Sequence, residues 1–170
     1  RKEYPKGVWK HISYGEPTEW DLYQEKFIKQ VLAYGRRIGL KTVCPGWGGQ
    51  VPTEFGKLHP EYEYMEVKWS KAEPEFHIHP GDPMFSEVLS RFIRMYTDIY
   101  GTDHIYEIGV YNEAMFPGAT REKAKAIRVA FAKAALKGMR DIDPQGVWYL
   151  SGWSVTFPPW PEEDLKAFFD

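Results

Sequence analysis

Asparagine occurs once and cysteine once in these 170 residues. The lone Cys44 excludes an intrachain disulfide, and no Cys/His spacing of a zinc site accompanies it. The chain is therefore expected to hold no metal and no cofactor. Gly48-Gly49 are not followed by Gly-Lys-Ser/Thr, so they do not make a phosphate loop. The single Asn112 stands in Asn112-Glu113-Ala114, which is not a glycosylation sequon. No apolar run approaches the ~20 residues that span a bilayer, so no membrane partner is expected. The net charge is −2 and the Lys and Arg residues form no basic stripe, so nothing draws in nucleic acid. The first residues show no signal-peptide pattern, and the compartment stays unassigned.

What the chain does have is ring area. Aromatic residues make up 16%, with seven Trp and eleven Tyr. Most rings belong in a core, but sugar-binding clefts also need flat apolar faces that end in a hydrogen-bonding group. With 43% hydrophobic and 27% charged residues, the composition is that of one globular unit.

Periodicity orders the chain. Gly7–Ser13 reads as a short strand within an irregular start. Thr18 caps a helix whose apolar positions are Phe27, Ile28, Val31, Leu32 and Ile38, stopped at Gly39. Leu40–Cys44 is a strand closed by Pro45-Gly46. A long excursion from Trp47 to about Met84 follows, within which Tyr64–Trp69 alternates as one arm of a hairpin. A helix through Val88, Leu89, Phe92, Ile93, Tyr96 and Ile99 ends before Gly101. Ile105–Tyr111 is a strand, Arg121–Ile142 a helix, and Val147–Ser151 a strand with an exit loop from Gly152 through the prolines to Pro161. The last helix starts near Glu162. Helix and strand alternate, which means a parallel sheet with crossover helices, an α/β fold. A (β/α)8 barrel needs about 250 residues, so 1–170 is expected to be a fragment of a (β/α)8 catalytic domain, with no second domain. A small three-layer α/β domain is the competing architecture.

The one asparagine precedes a carboxylate where a strand opens into a loop, Tyr111-Asn112-Glu113-Ala114. Reacting groups of (β/α) barrels sit at the C-terminal ends of strands, because the loops that shape the pocket begin there. Glu113 beside an amide suits a glycosidase acid/base; the same pair would also suit a turn that caps the next helix. Trp153 follows a strand end and is either a sugar platform or a core ring. Trp47 either lines a pocket or sits in a tight turn. His77 and His79 alternate on a strand with no third ligand in view, which makes them core or solvated rather than metal-bound.

Several stretches resemble the catalytic barrel of the alpha-N-acetylglucosaminidases, glycoside hydrolase family 89. They are Val43-Cys44-Pro45-Gly46-Trp47-Gly48-Gly49-Gln50-Val51-Pro52, Asp82-Pro83-Met84-Phe85, Gly101-Thr102-Asp103-His104-Ile105-Tyr106, Tyr111-Asn112-Glu113, and Val147-Trp148-Tyr149-Leu150-Ser151-Gly152-Trp153. None is specific alone; their joint order over about residues 20 to 155 carries the resemblance. It implies strands three to five of a TIM-type barrel, Glu113 as general acid/base, and Asn112, Trp47, Trp69 and Trp153 against the sugar. It also implies a retaining hydrolase that removes terminal α-linked N-acetylglucosamine. The nucleophile, a second Glu, would lie beyond Asp170, so the 170 residues alone are expected to be inactive. The partners implied are a carbohydrate substrate and the remainder of the barrel or another chain.

The sequence departs from the family at one place. The acid usually found four positions before the catalytic Glu is Gly109 here, while Glu107 adds one. By strand alternation Glu107 and Glu113 share a face, which makes Glu107 a buried, paired carboxylate or a group that tunes Glu113. The other readings are a barrel glycosidase of different specificity and a non-catalytic carbohydrate-binding scaffold.

Overall fold

The structure is a computed structural model and describes residues 17–69, 74–111, 113–156 and 160–170. The expected strand at Gly7–Ser13, Asn112 and the first two prolines of the 158–161 cluster lie outside the described residues. The chain divides into two compact units, 1–40 and 41–170. In the first, helix α1 (Glu19–Arg37) starts from a capping box. The Thr18 hydroxyl accepts from the Asp21 amide, and the Asp21 carboxylate accepts from the Thr18 amide at 2.8 Å. Arg36 and Arg37 lie in its last turn, where the helix dipole favours cations.

Among the described residues, the second unit contains two small sheets. Strands β1 (Val43–Pro45), β4 (Ile105–Glu107) and β6 (Val147–Tyr149) form a parallel sheet in the order β1-β4-β6. Their register stacks Val43, Ile105 and Val147 in one row, Cys44, Tyr106 and Trp148 in the next, and Pro45, Glu107 and Tyr149 in the third. The middle row points the opposite way from the other two, because side chains alternate across a strand. That middle row joins the core, with Phe85, Leu89 and Ile93 from α3 (Pro83–Tyr100) and Phe131, Ala135 and Met139 from α4 (Arg121–Arg140). The helices approach closely at Gly138, where a Cβ would come within 2.9 Å of the Ser86 carbonyl oxygen. The Ser86 and Ser90 hydroxyls bridge the crossing by donating to the carbonyls of Ala134 and Gly138.

At the start of β4 a buried polar network closes the sheet. Asp143 accepts from the Tyr106 hydroxyl (2.8 Å), His104 Nδ1 (2.7 Å) and the Gln145 amide (3.1 Å). Burial pushes the Asp143 carboxyl up, but these three donors outweigh it and hold it below the usual range. Burial pushes Tyr106 up to about 12. The final helix α6 (Glu162–Phe169) brings the buried Asp164 to α4, among Arg121, Lys125 and Arg128 at 3.7–4.0 Å.

The expected excursion from Trp47 to Met84 is more structured than its composition suggests. It holds a short helix α2 (Thr53–Leu58) and a hairpin, β2 (Tyr64–Trp69) against β3 (Glu75–Ile78). A third strand, β5 (Ala114–Met115), pairs with the end of β2 and turns an expected loop into a sheet edge. Likewise Trp153 opens a one-turn helix, α5 (Trp153–Thr156), where an exit loop was expected. The expected strand at Leu40–Cys44 begins and ends later, at Val43–Pro45.

The expected strand Ile105–Tyr111 stops at Glu107. Beyond it the ladder is replaced by other partners: the Glu107 carbonyl accepts from the Gly46 amide, and the Ile108 carbonyl accepts from the Trp148 indole. Tyr106, Ile108 and Val110 stay fully buried, so the pleat persists to Val110. It breaks at Tyr111, whose φ is +33°. The alternation that would place Glu107 and Glu113 on one face therefore does not reach Glu113, and Glu107 is exposed rather than buried and paired.

Candidate active site

Glu113 is reached through the break just described. Its own φ is +53°, in the left-handed region that few non-glycine residues occupy. Two such residues within three positions cost on the order of 1–3 kcal/mol each. Their surroundings hold them: the Tyr111 ring packs edge-on against Phe116 and Phe131, with centroids 5.1 and 4.9 Å away. The Tyr111 hydroxyl is buried without a hydrogen-bond partner, and burial raises its pKa steeply.

Both carboxylate oxygens of Glu113 are engaged, each by a tryptophan. Trp69 Nε1 donates to Oε2 at 2.9 Å and Trp153 Nε1 donates to Oε1 at 2.9 Å. These residues are 44 and 40 positions away in sequence. Sheet pairing explains the first contact, since β2 and β5 set Trp69 opposite Ala114, the neighbour of Glu113. The parallel sheet explains the second, since Trp153 follows β6, the neighbour of β4. Both rings are partly exposed, Trp69 56% and Trp153 53%, while their N–H groups are occupied by Glu113.

A cleft of about 400 Å³ adjoins this cluster. One wall is a single face of the antiparallel sheet. The register pairs Val67 with Glu75 and Trp69 with Ala114, and a bridge pairs Gln50 with His77, so Gln50, Val67, Trp69, Glu75, His77 and Ala114 line the cleft together. The opposite wall is Gly48, Gly109 and Tyr111. Gly49, with φ +106°, lets the loop pass close behind this wall: a Cβ there would come within 2.9 Å of the Phe85 ring and 3.2 Å of His77 Nδ1.

His77 is only 2% exposed, yet it carries a polar contact, Nε2 at 3.3 Å from Glu75 Oε2. Burial lowers its pKa, partly opposed by Glu75 and by the nearby Gly48 backbone. That backbone makes no well-formed hydrogen bond with Nδ1, which is buried and unpartnered.

Of the residues expected at the site, the structure brings Glu113, Trp69 and Trp153 together. Trp47 lies elsewhere: its ring packs on Phe85 at 5.1 Å and its indole donates to the Gln50 carbonyl at 2.8 Å. Glu107 lies on the sheet face that carries Pro45 and Tyr149. Asn112 is outside the described residues. Sequence reasoning missed Gln50, Glu75 and Tyr111 as cleft residues, and took His77 only as a core or solvated residue. The signal that could have found Glu75 and His77 was their alternation opposite Met65 and Val67, which puts them on one face once the hairpin is paired.

A parallel sheet backed by helices, with side chains gathered beyond the ends of its strands, is an α/β arrangement compatible with part of a (β/α) barrel. The family model described as the alpha-N-acetylglucosaminidase (NAGLU) tim-barrel domain matches residues 6–170, and the chain belongs to that family. It is 28% identical over 158 residues to the human alpha-N-acetylglucosaminidase, covering 89% of this chain and 21% of that protein. Among solved structures it is similar to a family 89 glycoside hydrolase from Clostridium perfringens in complex with 2-acetamido-1,2-dideoxynojirimycin. The TM-score is 0.71 at 16% identity, over 91% of this chain and 17% of that one. A doubly Glu-to-Gln substituted form of the Clostridium enzyme, in complex with its substrate GlcNAc-alpha-1,4-galactose, matches with a TM-score of 0.69 at 16% identity, over 90% of this chain and 17% of that one. The structural likeness at this identity concerns the fold. The chain spans about a fifth of the length of the relatives it matches.

Proposed function

We propose that residues 1–170 form part of the (β/α)8 catalytic domain of a retaining glycoside hydrolase, about strands three to five, and supply its general acid/base. The observation that carries this reading is Glu113, held at both oxygens by indole donors in a strained backbone where a strand opens into a loop. A group that must give a proton to one atom and later take one from water has to be fixed in orientation, and strain retained by its surroundings marks such sites. Family membership supports the substrate class, a terminal α-linked N-acetylglucosamine. The Clostridium relative's substrate complex, with two Glu replaced by Gln, fits a reaction run by two carboxyl groups.

In this reading the protonated Glu113 gives its proton to the glycosidic oxygen as the bond to the anomeric carbon breaks. The second carboxylate, from outside these residues, attacks that carbon and forms a glycosyl ester. Glu113, now ionised, takes a proton from water, which displaces the ester and releases the sugar with its configuration retained. Two carboxyls about 5–5.5 Å apart are required, so these 170 residues alone do not turn over. The remainder of the barrel is the partner that completes the site. Trp69 and Trp153 offer ring faces to the sugar, Asn112 offers it an amide, and Trp47 supports the Gly48-Gly49 loop that borders the cleft.

The test is Glu113→Gln in the full-length protein. Proton assistance is worth roughly 10²–10⁴ in rate. Turnover of an alkyl-type disaccharide should fall by that factor, while an aryl glycoside with an acidic leaving group should lose far less. Unchanged hydrolysis of the disaccharide would remove Glu113 from the chemistry and leave a binding scaffold as the better description.

A further inference from the structure

The cleft contains a second carboxylate that the acid/base reading does not use. Glu75 projects from β3 on the same sheet face as Trp69, and its side chain is 61% exposed. One of its oxygens, Oε2, lies 3.3 Å from His77 Nε2; Oε1 has no partner among the described residues. Resting on the glycosidase reading above, we propose that Glu75 is a specificity-determining residue that binds hydroxyl groups of the sugar ring in the cleft, and that His77 is the positioning residue that aims it.

The chemistry follows from the tautomer the geometry demands. A neutral imidazole has one N–H. The proton belongs on Nε2, because a lone pair there would face the Glu75 carboxylate. Nδ1 then lies beside the Gly48-Gly49 backbone, buried and without a hydrogen-bond partner. An imidazole this buried, 2% exposed, does not rotate freely: Gly49 leaves no room for even a Cβ beside Nδ1, and the Tyr111 ring lies 5.9 Å away. The Nε2–H therefore holds one carboxylate oxygen in a set direction and leaves the other turned to the cleft. A carboxylate accepts hydrogen bonds and donates none, so it selects ligands that present O–H groups, and its two oxygens suit neighbouring hydroxyls on one pyranose face. Gln50 stands directly across the bridge from His77 and adds both a donor and an acceptor to the same edge. Trp69 belongs to that wall as well as to the Glu113 cluster, so a ring held by the polar edge lies beside the acid/base.

The experiment measures binding of 2-acetamido-1,2-dideoxynojirimycin to the full-length protein by calorimetry, which needs no turnover. Glu75→Ala should weaken Kd roughly 10- to 100-fold, the worth of one or two hydrogen bonds to a charged group. A change under about twofold overturns the proposal for Glu75. His77→Leu should weaken Kd roughly 3- to 10-fold, and His77→Gln, which restores an N–H donor, should recover most of that loss. In a Glu75→Ala background, His77→Leu should cost nothing further, because a positioning group has nothing left to position. An equal cost in both backgrounds would make His77 merely structural. Leucine fills the same apolar space and removes an unpaired nitrogen, so thermal unfolding of His77→Leu should be unchanged or raised. If the unaltered protein does not bind the iminosugar at all, the glycosidase reading fails and this proposal fails with it. Binding that survives Glu75→Ala sinks the proposal and leaves that reading intact.

Discussion

Replacing Trp153 or Trp69 by phenylalanine removes one N–H and keeps most of the ring. Each indole donates one hydrogen bond of 2.9 Å to a different oxygen of Glu113. A hydrogen bond to a charged group contributes about 1.5–3 kcal/mol when it is shielded from water. Both rings are more than half exposed, 53% for Trp153 and 56% for Trp69, so water takes over part of the lost contact. The low end of the range applies, about 1.5 kcal/mol, which is roughly tenfold in a rate. Glu113 sits at a φ of +53° and has no side-chain hydrogen bond other than these two among the described residues. The loss should therefore appear as poor orientation of the acid/base. Steady-state kinetics on the full-length protein should show kcat down about tenfold in each Phe variant with KM nearly unchanged, because the ring face remains. The Ala variants should lose kcat similarly and also raise KM. If Phe and Ala variants behave alike, or if both Phe variants match the unaltered enzyme, the indole N–H groups do not hold Glu113 in the working state and the reasoning is refuted.

Two further outcomes follow from the fold. Gly138→Ala should lower the thermal midpoint, since the new Cβ would come within 2.9 Å of the Ser86 carbonyl where α3 crosses α4. Overpacking of this kind costs about 1–3 kcal/mol, and an unchanged midpoint would mean the helices separate freely. The Asp143 network makes stability depend on pH at both ends. The Asp143 carboxyl is held low in the fold, so its contribution is present above the ordinary carboxylate pKa and is lost as pH falls through the folded value. Tyr106 is pushed up to about 12, so its contribution is complete below about 10 and is lost as pH rises toward 12, a change of roughly 3 kcal/mol. Denaturant midpoints across pH should fall at both extremes, and Tyr106→Phe should flatten the alkaline fall. An alkaline fall that persists in Tyr106→Phe would place its cause elsewhere.

Much of this protein was legible before any coordinates. Helical spacing located α1, α3 and α4, because a 3.6-residue apolar repeat needs only local information, and Thr18 marked the start of α1 by its side-chain chemistry. Alternation of helices with short apolar strands determined the parallel sheet. The ordered motifs between Val43 and Trp153 determined the family, and with it the expectation that Glu113, Trp69 and Trp153 belong together. Tertiary structure decided what depends on pairing between distant segments. The hairpin partner of β2, the extra strand β5 and the early end of β4 at Glu107 are set by hydrogen bonds across the fold, and a linear pattern does not encode them. The same pairing turned Glu75 and His77 from two polar residues in a long excursion into one edge of a cleft. It also separated Glu107 from Glu113, because a backbone turned to positive φ at Tyr111 ends the two-residue repeat on which their shared face relied.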